Sequence, residues 1–418
     1  MFDGLKKLGG FARRARIIEV GRDRLRQVRH QLSFVLVTED LSENSLDEML
    51  NLFECPVYRR LSMSELEEVF GYQGTKILGF RRSSLSNEIS SLLKGCGVVR
   101  RKPLPEHPKV AVLGASGIGR HHANWWNMEG ASPIAFLGSS PESVEKTREK
   151  LRGMFGFEGR GYVDLAELLS TERPDIVDVC LPPRMHYAAV KQALEAGCHV
   201  LCEKPFVYDD DLSHEELLDQ ARELGRLSGR KGLMLGVCTQ YVMVAKEIIS
   251  LWKESHPGES ITEFVGHLVS PTRDRPPVPH WTWVDLSPHM LGVAQVLSQC
   301  GELDWSTLRK NFEGHLAEAE FQLTCNDGKP LSCRITTFHT DEEPENIRQI
   351  TLNGTLYDIG GRIDENNVFQ MDIFSPDGMV ERPDMLRLLI RSFLNGKVEV
   401  PPAKAIQNLE WMLRCIKA

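Results

Sequence analysis

From Lys109 onward, short apolar runs alternate with longer stretches of helical spacing. KVAVLGAS (Lys109 to Ser116) reads as a buried strand running into a glycine turn, and GIGRHHANWW opens a helix. SPIAFLGSS is a second strand, and PESVEKTREKLRG is a helix with proline at its start. DIVDVCLPP is a strand, HYAAVKQALEAG a helix ended by Gly197, and HVLCEKP the next strand. HEELLDQARELGRLSGR is a further helix, and KGLMLGVCTQY closes the series. Strands alternating with helices predict a parallel, doubly wound sheet.

Near residue 240 the pattern changes. EFVGHLVSP, HLAEAEFQLTC, LSCRITTFHT, RQITLNGTLYDIGG and FQMDIFSPDG alternate with period two and are separated by turn residues. They predict a large, mostly antiparallel sheet in an α+β domain. DMLRLLIRSFLNGK and AIQNLEWMLRCIKA read as closing helices.

The start of the chain has a third pattern. SFVLVTED is a β-rich run, LDEMLNLF has helical spacing, and PVYRR and KILGF read as strands. MSELEEVFG is expected to begin with a capping box, Ser64 with Glu67, and to stop at Gly71. GCGVVRRKPLPEHP is rich in Gly, Pro and Arg and lacks apolar periodicity, so it reads as a linker. The expected units are therefore a small α/β domain over 1–95, a linker over 96–107, a Rossmann-type domain over 108–239 and an α+β substrate or oligomerisation domain over 240–418.

Composition narrows the class. Hydrophobic (41%) and charged (26%) fractions are those of an ordinary soluble globular chain. No apolar run approaches the ~20 residues that cross a bilayer. The basic start lacks the apolar core and cleavage site of a secretory signal, which leaves a short amphipathic anchor as the bland alternative. Ten cysteines form no CxxC pair and are read as reduced thiols of a cytoplasmic protein. The net charge of −8 hides an asymmetry: residues 1–101 hold 17 Lys and Arg against 13 Asp and Glu, with nine basic against three acidic in the first thirty. That suggests either a polyanion-facing module or a solvated Arg-rich face.

Candidate chemistry falls at two places. Gly114, Gly117 and Gly119 follow a strand and open a helix, with Ser116 where a GxGxxG match wants glycine. Such a turn lets backbone approach a pyrophosphate, and the helix N-terminus supplies N–H donors. The second strand ends in Gly138, Ser139, Ser140 with no carboxylate for a ribose 2′-hydroxyl, which favours NADP over NAD. Lys204 stands just past a strand end, where open parallel sheets place their chemistry. Cys and His lack ligand spacing, so no metal site is expected.

GASGIGRHH, the DIVDVCLPPRMHYAAVKQALEAGCHVLCEKP run and DLSPH (Asp285 to His289) together resemble the Gfo/Idh/MocA oxidoreductase family over about residues 108–418. The resemblance implies hydride transfer between a nicotinamide cofactor and a sugar, cyclitol or related polyol. It implies a cofactor-binding set of Gly114, Ser116, Gly117, Ile118, Gly119, Ser139, Ser140, Pro182, Pro183, His186, Glu203 and Lys204. Lys204, Asp285 and His289 are its implied catalytic residues. Histidine is expected to take the hydroxyl proton near neutrality, lysine to stabilise developing alkoxide charge, and aspartate to orient hydroxyls or the lysine. Asp285 also reads as an N-cap, with Pro288 in the first turn. His121, His122 and His186 read as structural or near-cofactor. Trp281 and Trp283 can stack on a sugar face or pack in the core. HWTWV and TQY depart from the family pattern on the substrate side, so substrate identity does not transfer.

The first unit, through GGFARRARIIEVG, VLVTED, CPVYRR and ELEEVFG, resembles the ribosomal protein L7Ae/L30e-like family over about residues 4–90. The resemblance implies RNA binding, but Asp23, Arg24 and Gln27 stand where that family's contact residues fall, so weak binding or a scaffolding role is expected. A homo-oligomer without membrane association completes the expectation. The competing function class is a non-catalytic, dinucleotide-sensing regulator; a third reading is elimination or hydrolysis through a transient keto-sugar.

Overall fold

The computed structural model describes residues 2–99, 101–344, 346–365 and 368–417. The described chain begins with α1 (Phe2–Arg14), β1 (Ile18–Val20), α2 (Arg22–Val28), β2 (Leu32–Val37), α3 (Glu43–Leu52), β3 (Val57–Arg59), α4 (Met63–Phe70), β4 (Ile77–Arg81), α5 (Ser84–Leu92) and β5 (Gly97–Val98). These strands form a sheet of order β1-β4-β2-β3-β5, in which β2 and β3 run parallel. Phe34 stacks on Phe80 at 4.4 Å in its core.

Two local expectations change here, and one close contact explains α1. The capping box is Ser62 with Glu65, because Ser62 is the extended residue before the helix and Ser64 already lies within its first turn. In α1 a Cβ on Gly9 would sit 2.0 Å from the Val69 carbonyl, so this glycine lets α1 and α4 touch. Gly97–Val98, inside the expected linker, instead form β5, and Val99 N and Lys102 N donate to the carbonyls of Gly229 and Gly232.

Next come β6 (Lys109–Leu113), α6 (Gly119–Met128), β7 (Ser132–Leu137), α7 (Pro141–Phe155), β8 (Arg160–Tyr162), α8 (Leu165–Glu172), β9 (Ile176–Val179), α9 (His186–Glu195), β10 (His199–Glu203), α10 (His214–Lys231) and β11 (Leu235–Cys238). The sheet order is β11-β10-β9-β6-β7-β8, all parallel. Strand order reverses at β6, so the crevice lies beyond the carboxyl ends of β6 and its neighbours.

The rest comprises α11 (Tyr241–Ser255), β12 (Glu263–Pro271), α12 (Pro279–Leu297), β13 (Glu302–Glu313), β14 (Leu316–Thr324), β15 (Pro330–Thr340), β16 (Ile347–Leu352), β17 (Thr355–Ile363), β18 (Phe369–Ser375), β19 (Gly378–Pro383), α13 (Met385–Leu394) and α14 (Pro402–Lys417). The third sheet has order β13-β14-β15-β12-β16-β17-β18-β19, antiparallel except for the β12–β15 pair. Its inner face packs against α12. The closing helices return to the parallel sheet: Phe393 of α13 meets Trp126 of α6 edge-on at 6.0 Å, and Glu129 takes Arg387 at 2.5 Å and Arg391 at 2.7 Å. Among the described residues no helix is long and apolar enough to cross a membrane.

Candidate active site

The glycine turn after β6 has the shape a pyrophosphate requires. Gly114 has φ +86°, and a Cβ there would lie 2.6 Å from the Cys180 carbonyl. A Cβ on Gly119 would lie 2.6 Å from the Gly114 carbonyl, whereas one on Gly117 would meet nothing within 4 Å. Strand and helix are thus pressed together while the outer side of the turn is open. No side chain caps the first turn of α6, and Ser116, Gly117 and Ile118 are exposed. A dinucleotide phosphate fits this cradle. Ser139 is exposed at the end of β7, and Ser140 accepts a hydrogen bond from Ser143 N as the N-cap of α7.

Pro182 is exposed and Pro183 half-buried in the loop after β9. His186 is fully buried, with Nδ1 2.9 Å from the Pro205 carbonyl and Nε2 2.7 Å from the Leu181 carbonyl. Each ring nitrogen faces a carbonyl oxygen, and a neutral ring donates to only one of them, so His186 sits between the β9 loop and the segment after Lys204 and its tautomer decides which one it holds.

Lys204, leaving β10, reaches across to α12. Its Nζ donates to the Asp285 backbone carbonyl at 2.5 Å and to Oδ1 at 2.8 Å. Asp285 is not an N-cap: α12 begins at Pro279, and Pro288 lies inside it. An interior proline removes one ladder donor and pushes the preceding turn open. The ladder donor lost at Pro288 is that of the Val284 carbonyl; the adjacent Asp285 carbonyl accepts from the lysine, and Asn408 Nδ2 holds the Pro288 carbonyl at 3.0 Å from α14.

Two further residues complete the Asp285 environment. Oδ2 lies 2.8 Å from Arg275 Nη1 and 3.2 Å from His339 Nε2. Arg275 and His339 are themselves 3.0 Å apart, and Thr282 Oγ1 is 3.2 Å from His339 Nδ1. One His339 Nε2 cannot both donate to Asp285 and accept from Arg275, so its tautomer decides which bond forms. Neither residue was found by sequence reasoning. Arg275 sits in an irregular loop, and His339 is one of many alternating positions on a strand.

His289, one turn beyond Asp285, packs its ring against Tyr241 at 4.9 Å. It is 8% exposed, makes no hydrogen bond with any described residue, and its Nδ1 is sealed without a partner. Burial, then the Lys204 charge, pushes its pKa down to about 3. The ordinary near-neutral titration expected of it is therefore absent, and the ring is neutral at pH 7. Burial opposes the charge on Lys204, but Asp285 and Glu203 outweigh it and hold the ammonium above its usual range. Burial likewise opposes Asp285 ionisation; Lys204, His339 and Arg275 nevertheless hold it well below the carboxylate range.

Glu203 turns beneath the site. Its Oε2 accepts from Lys204 N at 3.2 Å, and its Oε1 lies 3.2 Å from His122 Nε2. On its other side, His122 Nδ1 is 2.8 Å from Asp178 Oδ2, which also accepts from Trp126 Nε1 at 2.5 Å. Burial works against both charges, but the His122 hydrogen bond and charge bring Glu203 down to about 2, and Asp178 raises His122 well above its ordinary value. Sequence spacing foresaw no metal cluster, yet the fold gathers His122, Asp178, Cys180, Glu203 and Cys238. Burial raises the Cys180 thiol to about 12 and holds Cys238 well above the ordinary thiol range, so both stay protonated.

These shifts set an acid limit. His289 has a folded pKa below its ordinary 6.5, so the unfolded chain binds more protons between about 6.5 and about 3. Glu203 acts in the same direction between 4.5 and about 2. Stability should therefore fall as pH drops through those windows. Thermal melts from pH 7 to pH ~4 should show a falling midpoint, less steep in His289→Gln. An unchanged slope in that variant would contradict the assignment.

Comparison with known proteins bears on the fold and on the parallel-sheet unit. Residues 108–237 match the Gfo/Idh/MocA family model, described as an oxidoreductase family with an NAD-binding Rossmann fold. That segment is a domain of this family. The chain is 32% identical to the D-glucoside 3-dehydrogenase of Escherichia coli (strain K12) over 121 residues, 28% of this chain and 33% of that protein. It is 32% identical to the D-apiose dehydrogenase of Paraburkholderia graminis over 99 residues, 23% of this chain and 25% of that protein. The matched stretch spans about a third or less of these relatives' lengths. Among solved structures, UDP-N-acetylglucosamine 3-dehydrogenase from Acidithiobacillus ferrooxidans shares the fold at TM-score 0.54 and 20% identity, covering 74% of this chain and 96% of that one. The scyllo-inositol dehydrogenase of Lactobacillus casei, with bound NAD(H) and scyllo-inositol, does so at TM-score 0.52 and 15% identity, covering 73% and 95%.

Proposed function

We propose that this chain is an NAD(P)-dependent oxidoreductase acting on the CH–OH group of a sugar, cyclitol or related polyol. The observation that carries the reading is the Lys204 ammonium held on Asp285 beyond a parallel-strand end, beside a glycine turn that fits a pyrophosphate. The named dehydrogenase relatives support the reaction class. A bound nicotinamide supplies the hydride acceptor or donor. Lys204, held protonated, donates to the substrate oxygen and stabilises alkoxide charge. His289, held neutral, has acceptor capacity for the hydroxyl proton. Asp285 orients the lysine, and Arg275 and His339 fix the carboxylate. This set favours an enzyme over a non-catalytic sensor. Mass spectrometry of denatured protein for copurified dinucleotide, followed by turnover on a polyol panel, tests the proposal. No dinucleotide affinity would overturn it.

NADP remains the favoured cofactor because no carboxylate stands at the β7 terminus. Ser139→Asp should shift the NAD:NADP affinity ratio toward NAD, since a carboxylate repels a 2′-phosphate and accepts from a 2′-hydroxyl. An unmoved ratio in paired fluorescence titrations would show that residue 139 does not meet the ribose.

Weak RNA affinity is the reading for residues 1–95 that local charge pairing supports. Arg24 is spent on Glu19 at 2.8 Å and Arg26 on Glu48 at 2.8 Å, so part of the basic charge is neutralised where it arises. Exposed Leu356, Phe374 and Met379 on β17 to β19 support the expected self-association.

A further inference from the structure

Arg348 is a half-buried arginine with neither a hydrogen bond nor an ion pair to any described residue. An arginine cannot shed its charge, and no nitrogen of this one is sealed from water, so its guanidinium stands open to an arriving anion. Its position follows from sheet register. On β12, Leu268 pairs with Arg348 of β16, and Leu268, Ile350 and Leu352 are buried on the inner face. Arg348 shares that face by strand alternation. The helix α12 runs across the same face. Met290 lies over Gly266, at 2.8 Å from where a Cβ would stand, and Thr282 bonds His339, which pairs with Ser270. The row of Leu268 and Arg348 lies between these two fixed points, opposite the turns that carry Asp285 and His289. The arginine's charge is felt at His289 and at Tyr241, whose ring packs on His289. It also acts on Asp384, whose Oδ1 accepts from Leu386 N and Arg387 N at 2.9 and 3.1 Å as the cap of α13 and which makes no ion pair with it.

The other flank of the site repeats the imbalance. Arg275 shares the Asp285 carboxylate with Lys204 and His339, and its Nε and Nη2 bond nothing among the described residues. Three fixed cations, Lys204, Arg275 and Arg348, thus border the reacting position. Asp285 answers Lys204 and Arg275, and Glu203 also supports the Lys204 charge, which leaves Arg348 as the cation without an ion pair to a described residue. A neutral polyol would bring Arg348 no such partner.

We propose that the substrate is a sugar acid, whose carboxylate is received by Arg348 while a neighbouring carbinol lies at Lys204 and His289. The proposal rests on the oxidoreductase reading. The chemistry is unchanged by it: hydride leaves the carbinol carbon, the hydroxyl proton passes to the protein, and the carboxylate remains intact as a handle. A planar guanidinium suits this role because it binds a carboxylate through two parallel N–H bonds.

The test compares charge-matched pairs. Dinucleotide binding is first measured by fluorescence. Dinucleotide-loaded protein is then titrated calorimetrically with D-gluconate against D-glucitol, and with D-glucuronate against methyl D-glucoside. The acids should bind at least ~10-fold more tightly, and Arg348→Met should cut the acid-to-neutral ratio by ~10–10²-fold, the scale of one hydrogen bond to a charged group. Arg348→Lys should restore part of the ratio, which a merely structural loss would not show. Dinucleotide binding with no acid preference, no acid binding, or an unchanged ratio in Arg348→Met would overturn the inference and leave the oxidoreductase reading standing. Absence of dinucleotide binding would overturn both.

Discussion

Lys204→Ala should retain dinucleotide binding and lose turnover by at least ~10²-fold, the scale of removing one preorganised electrostatic donor. The side chain is largely covered and reaches from β10 to α12, where it meets both the Asp285 carbonyl and Oδ1. Its removal deletes the ammonium facing the substrate oxygen. It also leaves the Asp285 carboxylate to Arg275 and His339, which can draw it out of register. The glycine turn that would hold the cofactor phosphates shares no contact with this pair, so cofactor affinity and turnover should separate. The measurement is dinucleotide affinity beside kcat on the true substrate. A variant that keeps wild-type kcat would show that the lysine is only a strut between the two halves of the crevice.

His289→Gln should reduce turnover by ~10²–10⁴-fold, the usual range for general acid–base catalysis. Glutamine keeps much of the bulk packed on Tyr241 and removes the basic ring nitrogen. Because the folded pKa is about 3, the ring is already neutral across the neutral range. The acid limb of the wild-type pH–rate profile should therefore not fall near 6.5, as an ordinary histidine would make it. The profile of kcat/KM, taken from pH 5 to 9 as a rough span, reads this directly. A limb near 6.5 that disappears in the variant would contradict the buried environment described for His289. Wild-type rates in the variant would remove it from the chemistry.

The same environment explains why Arg348 matters. The site's charges are not independent: Lys204 lowers His289, Asp285 holds Lys204, and His122 steadies Glu203 from below. A bound carboxylate at Arg348 would enter this set as one more fixed charge, which is why the acid-to-neutral binding ratio is a sensitive readout.

Much of the architecture was legible from one sequence because it is encoded over short distances. KVAVLGAS followed by GIGRHH is a strand, turn and helix in consecutive residues, and the structure places β6, the turn and α6 there. Period-two alternation in HLAEAEFQLTC and LSCRITTFHT became β14 and β15 because one face of each is buried. Local reading failed where packing outvoted it. The helix α1 carries three glycines, one of which, Gly9, a close approach to α4 requires, and α12 contains a proline that marked a helix start in the sequence but sits inside the helix. Lys204, Asp285 and His289 could be nominated by motif, yet nothing in their spacing joins β10 to α12. Only the tertiary structure could bring Arg275 and His339 to Asp285, seat His186 between two carbonyls, set His122 between Asp178 and Glu203, and leave Arg348 without a partner on the inner face of the third sheet. The physical reason is that strand and helix propensity are decided by neighbours along the chain, whereas burial and charge pairing, which set each group's protonation, depend on residues far apart in sequence.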